Sequence, residues 1–297
     1  MNNRGYTASA AVALLALGGL PRPAQAAWRA ECLSMHSGIL GREVGYCALL
    51  PPSYNPTLPR RYPVLYYLHG LGDNQQMFLR AGGLDLVQDL WERGRVGEFL
   101  IVTPAGDMSF YINSRGGHER YEDFFIREFL LFIEHHYRVA AQRPYRGIAG
   151  ISMGGYGALH LAFRHPELFV SVSAESAALI EKLPAVALGD PQQMSARRIF
   201  GGVFGTPPDP AFWSSQSPLT LARSFQPAGL KIYFECGRED DYGFDQGAQA
   251  LDKILTTRGI PHEFYLGSGG HNWLYFAQRL PASLEFHSRA FGPRLRK

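Results

Sequence analysis

The stretch RGIAGISMGGYGAL, Arg146–Leu159, decides how the rest of the chain is read. It opens as an apolar strand, breaks at Gly150-Ile151-Ser152-Met153-Gly154, and continues as a helix-forming run. A G-x-S-x-G pattern can mark a sharp strand-to-helix turn that lifts a serine hydroxyl above a sheet. In a chain with 33 glycines the pattern alone is weak, and a serine capping the helix would look the same. The reading therefore depends on what lies on either side.

Working outward, short apolar runs that end in turn residues recur: YPVLYYL before HGLGDN, EFLIVTPAGD, LFVSVSAES, LKIYFECG and HEFYL. Between them lie helical patterns: GLDLVQDLWERG, RYEDFFIREFLLFIEHHYRV, GGYGALHLAFRH and GFDQGAQALDKILTTRG. Near-continuous apolar strands alternating with helices predict an α/β fold, its mostly parallel central sheet covered on both faces. Upstream, AECLSMH and EVGYCALL flank SGILGR and predict an antiparallel hairpin at the sheet edge. A simple register sets Cys32 opposite Cys47, within reach of a disulfide; two packed thiols are the alternative. Cys236 is then the odd cysteine, expected to be buried at a strand end.

The chain has 297 residues, 46% of them hydrophobic and 19% charged, enough for one large core and too apolar for disorder. A net charge of +3 with no basic run argues against nucleic acid as a partner. Arg4, the apolar stretch ASAAVALLALGGL and the AQA at Ala24–Ala26 predict a signal peptide over residues 1–26. That stretch is too short to span a bilayer comfortably, so no stable membrane insertion is expected. Residues 27–297 then form a single exported domain, periplasmic or extracellular. Arg4 and Arg22 are the charged residues removed, which lowers the net charge from +3 to +1. Residues 177–224 carry scattered Gly, Pro and aromatics without strands, too long for an ordinary connection, and predict a small cap-like insertion over the site.

A serine hydroxyl needs a base to take its proton. Of ten histidines, His271 in GSGGHNW follows the last expected strand in a glycine-rich loop and is the best placed. His135, His136, His160 and His165 fall on or at the ends of helices, where packing or exposure accounts for them. A carboxylate must then orient the imidazole, and ECGREDDYG supplies Glu239, Asp240 and Asp241 after a strand. Spacing does not separate Asp240 from Asp241. The order Ser152, an acid near 240, His271 is that of α/β-hydrolases, with each residue at a strand's carboxyl end. An oxyanion needs N–H donors: Met153, next to the serine, and Leu71, between Gly70 and Gly72, are the candidates, with a plain glycine turn the alternative for the latter.

From LGREVGYCALLPPSY to GGHNWLYF the chain resembles the esterase D-type "Putative esterase" family of α/β-hydrolases. That family includes S-formylglutathione hydrolases, feruloyl and acetylxylan esterases, enterochelin esterases and mycolyltransferases. The resemblance is carried by PVLYYLHGLGDN, SFYINS, RYEDFFIREFLLFIE, GISMGGYGAL, ECGREDD and PHEFYLGSGGHNW. It implies hydrolysis of a small-molecule or carbohydrate-linked ester through an acyl-serine intermediate, without metal or organic cofactor. Through the family's C-G-x-x-D turn it selects Asp240 over Asp241, and it assigns Leu71 and Met153 to the oxyanion hole. It further implies that Tyr111 and Trp273 face the substrate pocket, where core packing is the alternative for both. Two other functions fit the same residues: an acyltransferase delivering the acyl group to a sugar alcohol, and a catalytically silent binding protein.

Overall fold

The computed structural model of the chain describes residues 27–181 and 200–292. The expected signal peptide and residues 182–199 of the expected insertion lie outside that description. Among the described residues eight strands form one sheet: β1 (Arg29–Ser37), β2 (Arg42–Leu50), β3 (Val64–Leu68), β4 (Leu100–Pro104), β5 (Arg146–Ile151), β6 (Ser171–Glu175), β7 (Lys231–Gly237) and β8 (Glu263–Gly267). Their order is β1-β2-β4-β3-β5-β6-β7-β8. From β4 to β8 every pairing is parallel, while β1 and β2 join antiparallel at one edge.

The helices are α1 (Met77–Arg80), α2 (Gly83–Glu92), α3 (Tyr121–Phe124), α4 (Leu130–His136), α5 (Met153–Arg164), α6 (Pro210–Gln216), α7 (Pro218–Leu221), α8 (Phe244–Thr257) and α9 (Trp273–Ala290). Among the described residues no helix is long and apolar enough to cross a membrane. Because side chains alternate along a strand, successive tyrosines of β3 serve opposite faces. Tyr66 joins Tyr46, Phe125, Phe129 and Leu159 in one apolar layer. Tyr67 joins Phe78, Leu90, Phe276 and Leu284 in the other.

The hairpin forms in the expected register, with Cys32 opposite Cys47, and the two are joined by a disulfide. Most of β1 is exposed, so few apolar contacts hold this edge strand. Cys236 is free and buried. The run predicted as one helix over 120–139 is helical from Tyr121 to His136 but passes through a π turn at Phe125–Phe129. One extra residue in that turn widens the buried face enough to admit Phe124, Phe125 and Phe129 together.

Helix α9 lies outside the helical patterns read from the sequence. Pro281 lies inside it, and its sheet-facing positions Arg279, Ser283 and His287 are polar, which masks the amphipathic period. The described part of the insertion docks against α5: Phe200, Phe204 and Trp213 stack with Phe110 and Tyr156. The Tyr156 hydroxyl donates to Gln216 O at 2.9 Å, and His160 Nδ1 donates to the same oxygen at 2.8 Å.

Candidate active site

Ser152 sits between β5 and α5 at φ 56° and ψ −115°, a left-handed conformation that strains a residue with a Cβ. Its N–H donates to Glu175 O at 2.9 Å, and its own carbonyl accepts from Ala178 N at 3.0 Å. The flanking glycines are obligatory. A Cβ at Gly150 would stand 2.3 Å from Gly154 O, and one at Gly154 would stand 2.1 Å from Leu68 O. Such a sharp turn leaves the serine half-buried at the N-terminus of a 12-residue helix, whose positive end faces any charge developing there.

Two more loops converge on it. His271 Nε2 lies 3.0 Å from Ser152 Oγ, and His271 Nδ1 lies 2.8 Å from Asp240 Oδ2. The Asp240 side chain is fully buried; its Oδ1 accepts the N–H groups of Tyr242 at 3.0 Å and Phe244 at 3.4 Å. Those donors occupy Oδ1, and Oδ2, which also receives the Cys236 thiol at 3.7 Å, accepts from the imidazole and holds it as the Nδ1–H tautomer. Asp241 is exposed and takes no part in this chain. Tyr242, Phe244 and Phe276 meet the His271 ring edge-on at 5.0, 5.3 and 5.1 Å, wedging its plane. The histidine loop itself is tied back to the acid loop. Glu239 N donates to Gly269 O at 3.1 Å, while the Glu239 carboxylate accepts Gly269 N–H.

On the opposite side, the loop after β3 lies over the serine: a Cβ on Gly70 would be 3.6 Å from Ser152 Cβ. His69 is buried, and its Nε2 accepts Gly106 N–H at 2.8 Å, so its proton resides on Nδ1, which donates to Gly70 O at 2.8 Å. Burial pushes the imidazole below its usual value, in keeping with this neutral form. A trans peptide carries its C=O and N–H in opposite directions. Holding Gly70 O therefore fixes the direction of the Leu71 N–H. Met153 N is the first N–H of α5 and has no acceptor within the helix. Met153 N–H therefore adjoins the serine, and the Leu71 N–H is held in a set direction on the loop that lies over it.

The two expected pocket aromatics part company. Trp273 is 47% exposed at the start of α9. With Asp73, Met77, Arg80, Ala81 and Ala277 it lines a cavity of about 300 Å³. Tyr111 has no exposed surface, so it stands beneath the site rather than in an open pocket. Its hydroxyl donates to His69 O at 3.0 Å, and its ring packs against Gly106 and Gly157. Asp107, Phe110 and Tyr111 all have positive φ, a concentration of strain in the loop after β4 that supports His69. Glu239 and His69 support the site rather than act in it. Their sequence signal is only proximity to the chosen loops.

An open parallel sheet with an antiparallel edge, a strained serine after its central strand and its partners after β7 and β8 define an α/β-hydrolase. Comparison with known proteins agrees. The model of the "Putative esterase" family matches residues 37–287. Esterase Rv1288 of Mycobacterium tuberculosis is 32% identical over 253 residues, 79% of this chain and 54% of that protein. The acetyl esterase of Caldicellulosiruptor saccharolyticus is 29% identical over 233 residues, 76% of this chain and 83% of that protein. The chain spans about half the length of the mycobacterial relatives it matches. Among solved structures, a ferulic acid esterase superposes with TM-score 0.76 at 28% identity, covering 90% of this chain and 99% of the other. A fluorophosphonate-binding serine hydrolase of Staphylococcus aureus shares the fold, with TM-score 0.72 at 21% identity, covering 88% and 99%. The chain belongs to the "Putative esterase" family.

Proposed function

We propose that the chain is an exported serine carboxylesterase working through Ser152, His271 and Asp240. The observation that carries this reading is the unbroken hydrogen-bonded series from Ser152 Oγ through both nitrogens of His271 to buried Asp240. His271 Nε2 takes the Ser152 proton as Oγ attacks the ester carbonyl carbon, and the resulting oxyanion is received by the N–H groups of Leu71 and Met153. Collapse breaks the bond to the alcohol oxygen, which leaves with the proton from His271. A water then attacks the acyl-serine, giving its proton to His271, and the acid departs as Ser152 recovers its proton. Trp273 and the cavity beside it would receive part of a small-molecule or carbohydrate-linked ester. The Cys32–Cys47 bridge supports export, since such bonds persist in oxidising compartments. The exported protein is expected to begin at Ala27, which N-terminal sequencing checks.

The test is hydrolysis of a chain-length series of aryl esters by the protein and by Ser152→Ala. Loss of about 10⁴-fold or more in kcat is expected in the variant. Equal rates would overturn the mechanism. A new ester formed when a sugar alcohol is supplied would identify a transferase instead, and binding without turnover in either form a silent binding protein.

A further inference from the structure

Behind the sheet, directly under the Ser152 turn, helix and strands meet through polar groups where apolar packing is the rule. Tyr275, Arg279, Ser283 and His287 recur every four residues along one face of α9. Facing them are Ser171, Ser173 and Glu175, alternate residues of β6, with Tyr233 and Glu235 on β7. Ser283 Oγ lies 2.7 Å from Ser173 Oγ, and His287 bonds Ser171 and Ser173 at 2.8 and 2.9 Å. The two carboxyl groups at the top of this seam stand side by side. Glu175 and Glu235 are register partners on adjacent parallel strands, so their side chains share one face.

Both are almost wholly buried, at 0% and 1% exposure. Each has one oxygen satisfied by a tyrosine: Tyr67 donates to Glu175 Oε2 at 2.6 Å, and Tyr275 donates to Glu235 Oε2. Each has its other oxygen, Oε1, without a hydrogen-bond partner among the described residues. Two full carboxylates in this position would face one cation, Arg279, whose Nε is 4.0 Å from Glu235 Oε2 and whose guanidinium also stacks on Tyr265 at 3.7 Å. The remaining ionisable groups that face the pair are Tyr233 and the buried Cys236 thiol on β7, and Asp240 beyond it. One proton resolves the conflict, because a protonated carboxyl becomes a donor and its neighbour an acceptor.

We propose that Glu175 and Glu235 share a single proton between their Oε1 atoms, and that this acid–carboxylate pair positions the Ser152 turn. The mechanical link is short. Glu175 O accepts the Ser152 N–H and Glu235 O accepts the Ser176 N–H, each at 2.9 Å, so Glu175 holds the turn directly and Glu235 holds the residue that follows Glu175. Burial pushes Glu175 up to about 7; burial, then the neighbouring Glu175 charge, pushes Glu235 up to about 8. Both values are raised on folding. Their contribution to stability is therefore complete below the ordinary carboxylate range and is lost as pH rises through about 7 to 8. Above that range the charges repel, β6 and β7 are driven apart at their ends, and the serine loses its position.

The inference rests on the proposed role of Ser152 for its activity arm only. Glu235→Gln and Glu175→Gln each place a permanent amide donor where the shared proton would sit. Melting temperature of the full protein and both variants is measured from about pH 6 to pH 9, together with kcat and KM for an aryl ester. The wild type is expected to lose stability across this range, and the Glu235→Gln slope to fall to about half or less. The alkaline fall in kcat should be lost in the same variant, because no second charge forms beside Glu175, with KM unchanged. Identical slopes in wild type and both variants would overturn the shared proton. If no form hydrolyses any ester, the Ser152 reading fails while the melting series still decides the proton. Should neither variant fold, the wild type at neutral pH must show the infrared carbonyl band of a protonated carboxyl, and its absence overturns the proposal.

Discussion

A single oxygen, Gly70 O, governs much of what this site can do. His69 Nδ1 and Asp73 N both donate to it, at 2.8 and 3.3 Å, and Tyr111 in turn donates to the His69 carbonyl. His69→Ala is expected to free the peptide that carries the Leu71 N–H and to lower kcat by about 10²-fold, the usual cost of losing one oxyanion donor, with KM little changed. Steady-state kinetics separate the two. The choice of acid is testable at the same scale. Asp240→Asn should cost about 10⁴-fold in kcat through the wrong imidazole tautomer, whereas Asp241→Asn should stay near wild type. Ser152 and His271 were legible because strand-end placement and chain order single them out. Asp240 was not separable from Asp241 by spacing. Only the fold buries one of these neighbours against Cys236 and the Tyr242 and Phe244 amides and turns the other to solvent.

Elements differ in how much tertiary help they need. β1 and β2 pair as their symmetric sequence about SGILGR suggests, yet β1 is an exposed edge strand whose bridge to β2 replaces the core contacts it lacks. Cys32→Ser with Cys47→Ser is expected to lose about 3 kcal/mol, given the sequence separation of 15, as read by urea unfolding of oxidised protein and variant. Helix α9 shows the opposite case. A proline in its interior and a polar inner stripe made it unreadable as an amphipathic helix. Its inner face is polar because the sheet beneath it is polar there, a match that exists only once β6, β7 and α9 are brought together.

Across the molecule, Glu122 joins layers that are distant in sequence. It starts from α3 and accepts from His160 at 3.1 Å and His165 at 2.9 Å on and after α5, while His160 reaches on to Gln216 at the end of α6. Burial raises the Glu122 carboxyl, but the hydrogen bonds from His160 and His165 outweigh burial and hold it well below the usual carboxylate range. A value depressed on folding gives stability that is present above the unfolded value and lost as pH falls through the folded one. Glu122→Gln is therefore expected to lose about 3 kcal/mol at neutral pH, with the difference from wild type shrinking as the solution is acidified below about pH 4. Unfolding followed at several pH values checks both halves.

By itself the sequence determined the alternation of buried strands and helices, the edge hairpin, the chain order of Ser152, an acid near 240 and His271 at successive strand ends, and the glycines that permit the turn at Ser152. These follow from local period, local sterics and chain order, which need no partner in space. Between Asp240 and Asp241 local spacing left the choice open and the family resemblance pointed to Asp240, the one the fold buries; the tertiary structure alone decided that Tyr111 supports the His69 loop from below and that Glu175 and Glu235 stand side by side behind the Ser152 turn. Each of these placements depends on residues more than 25 positions apart being brought together, as His271 and Asp240 are across 31 residues. No local pattern carries that information, because burial and the partner that compensates it are set only when the layers close.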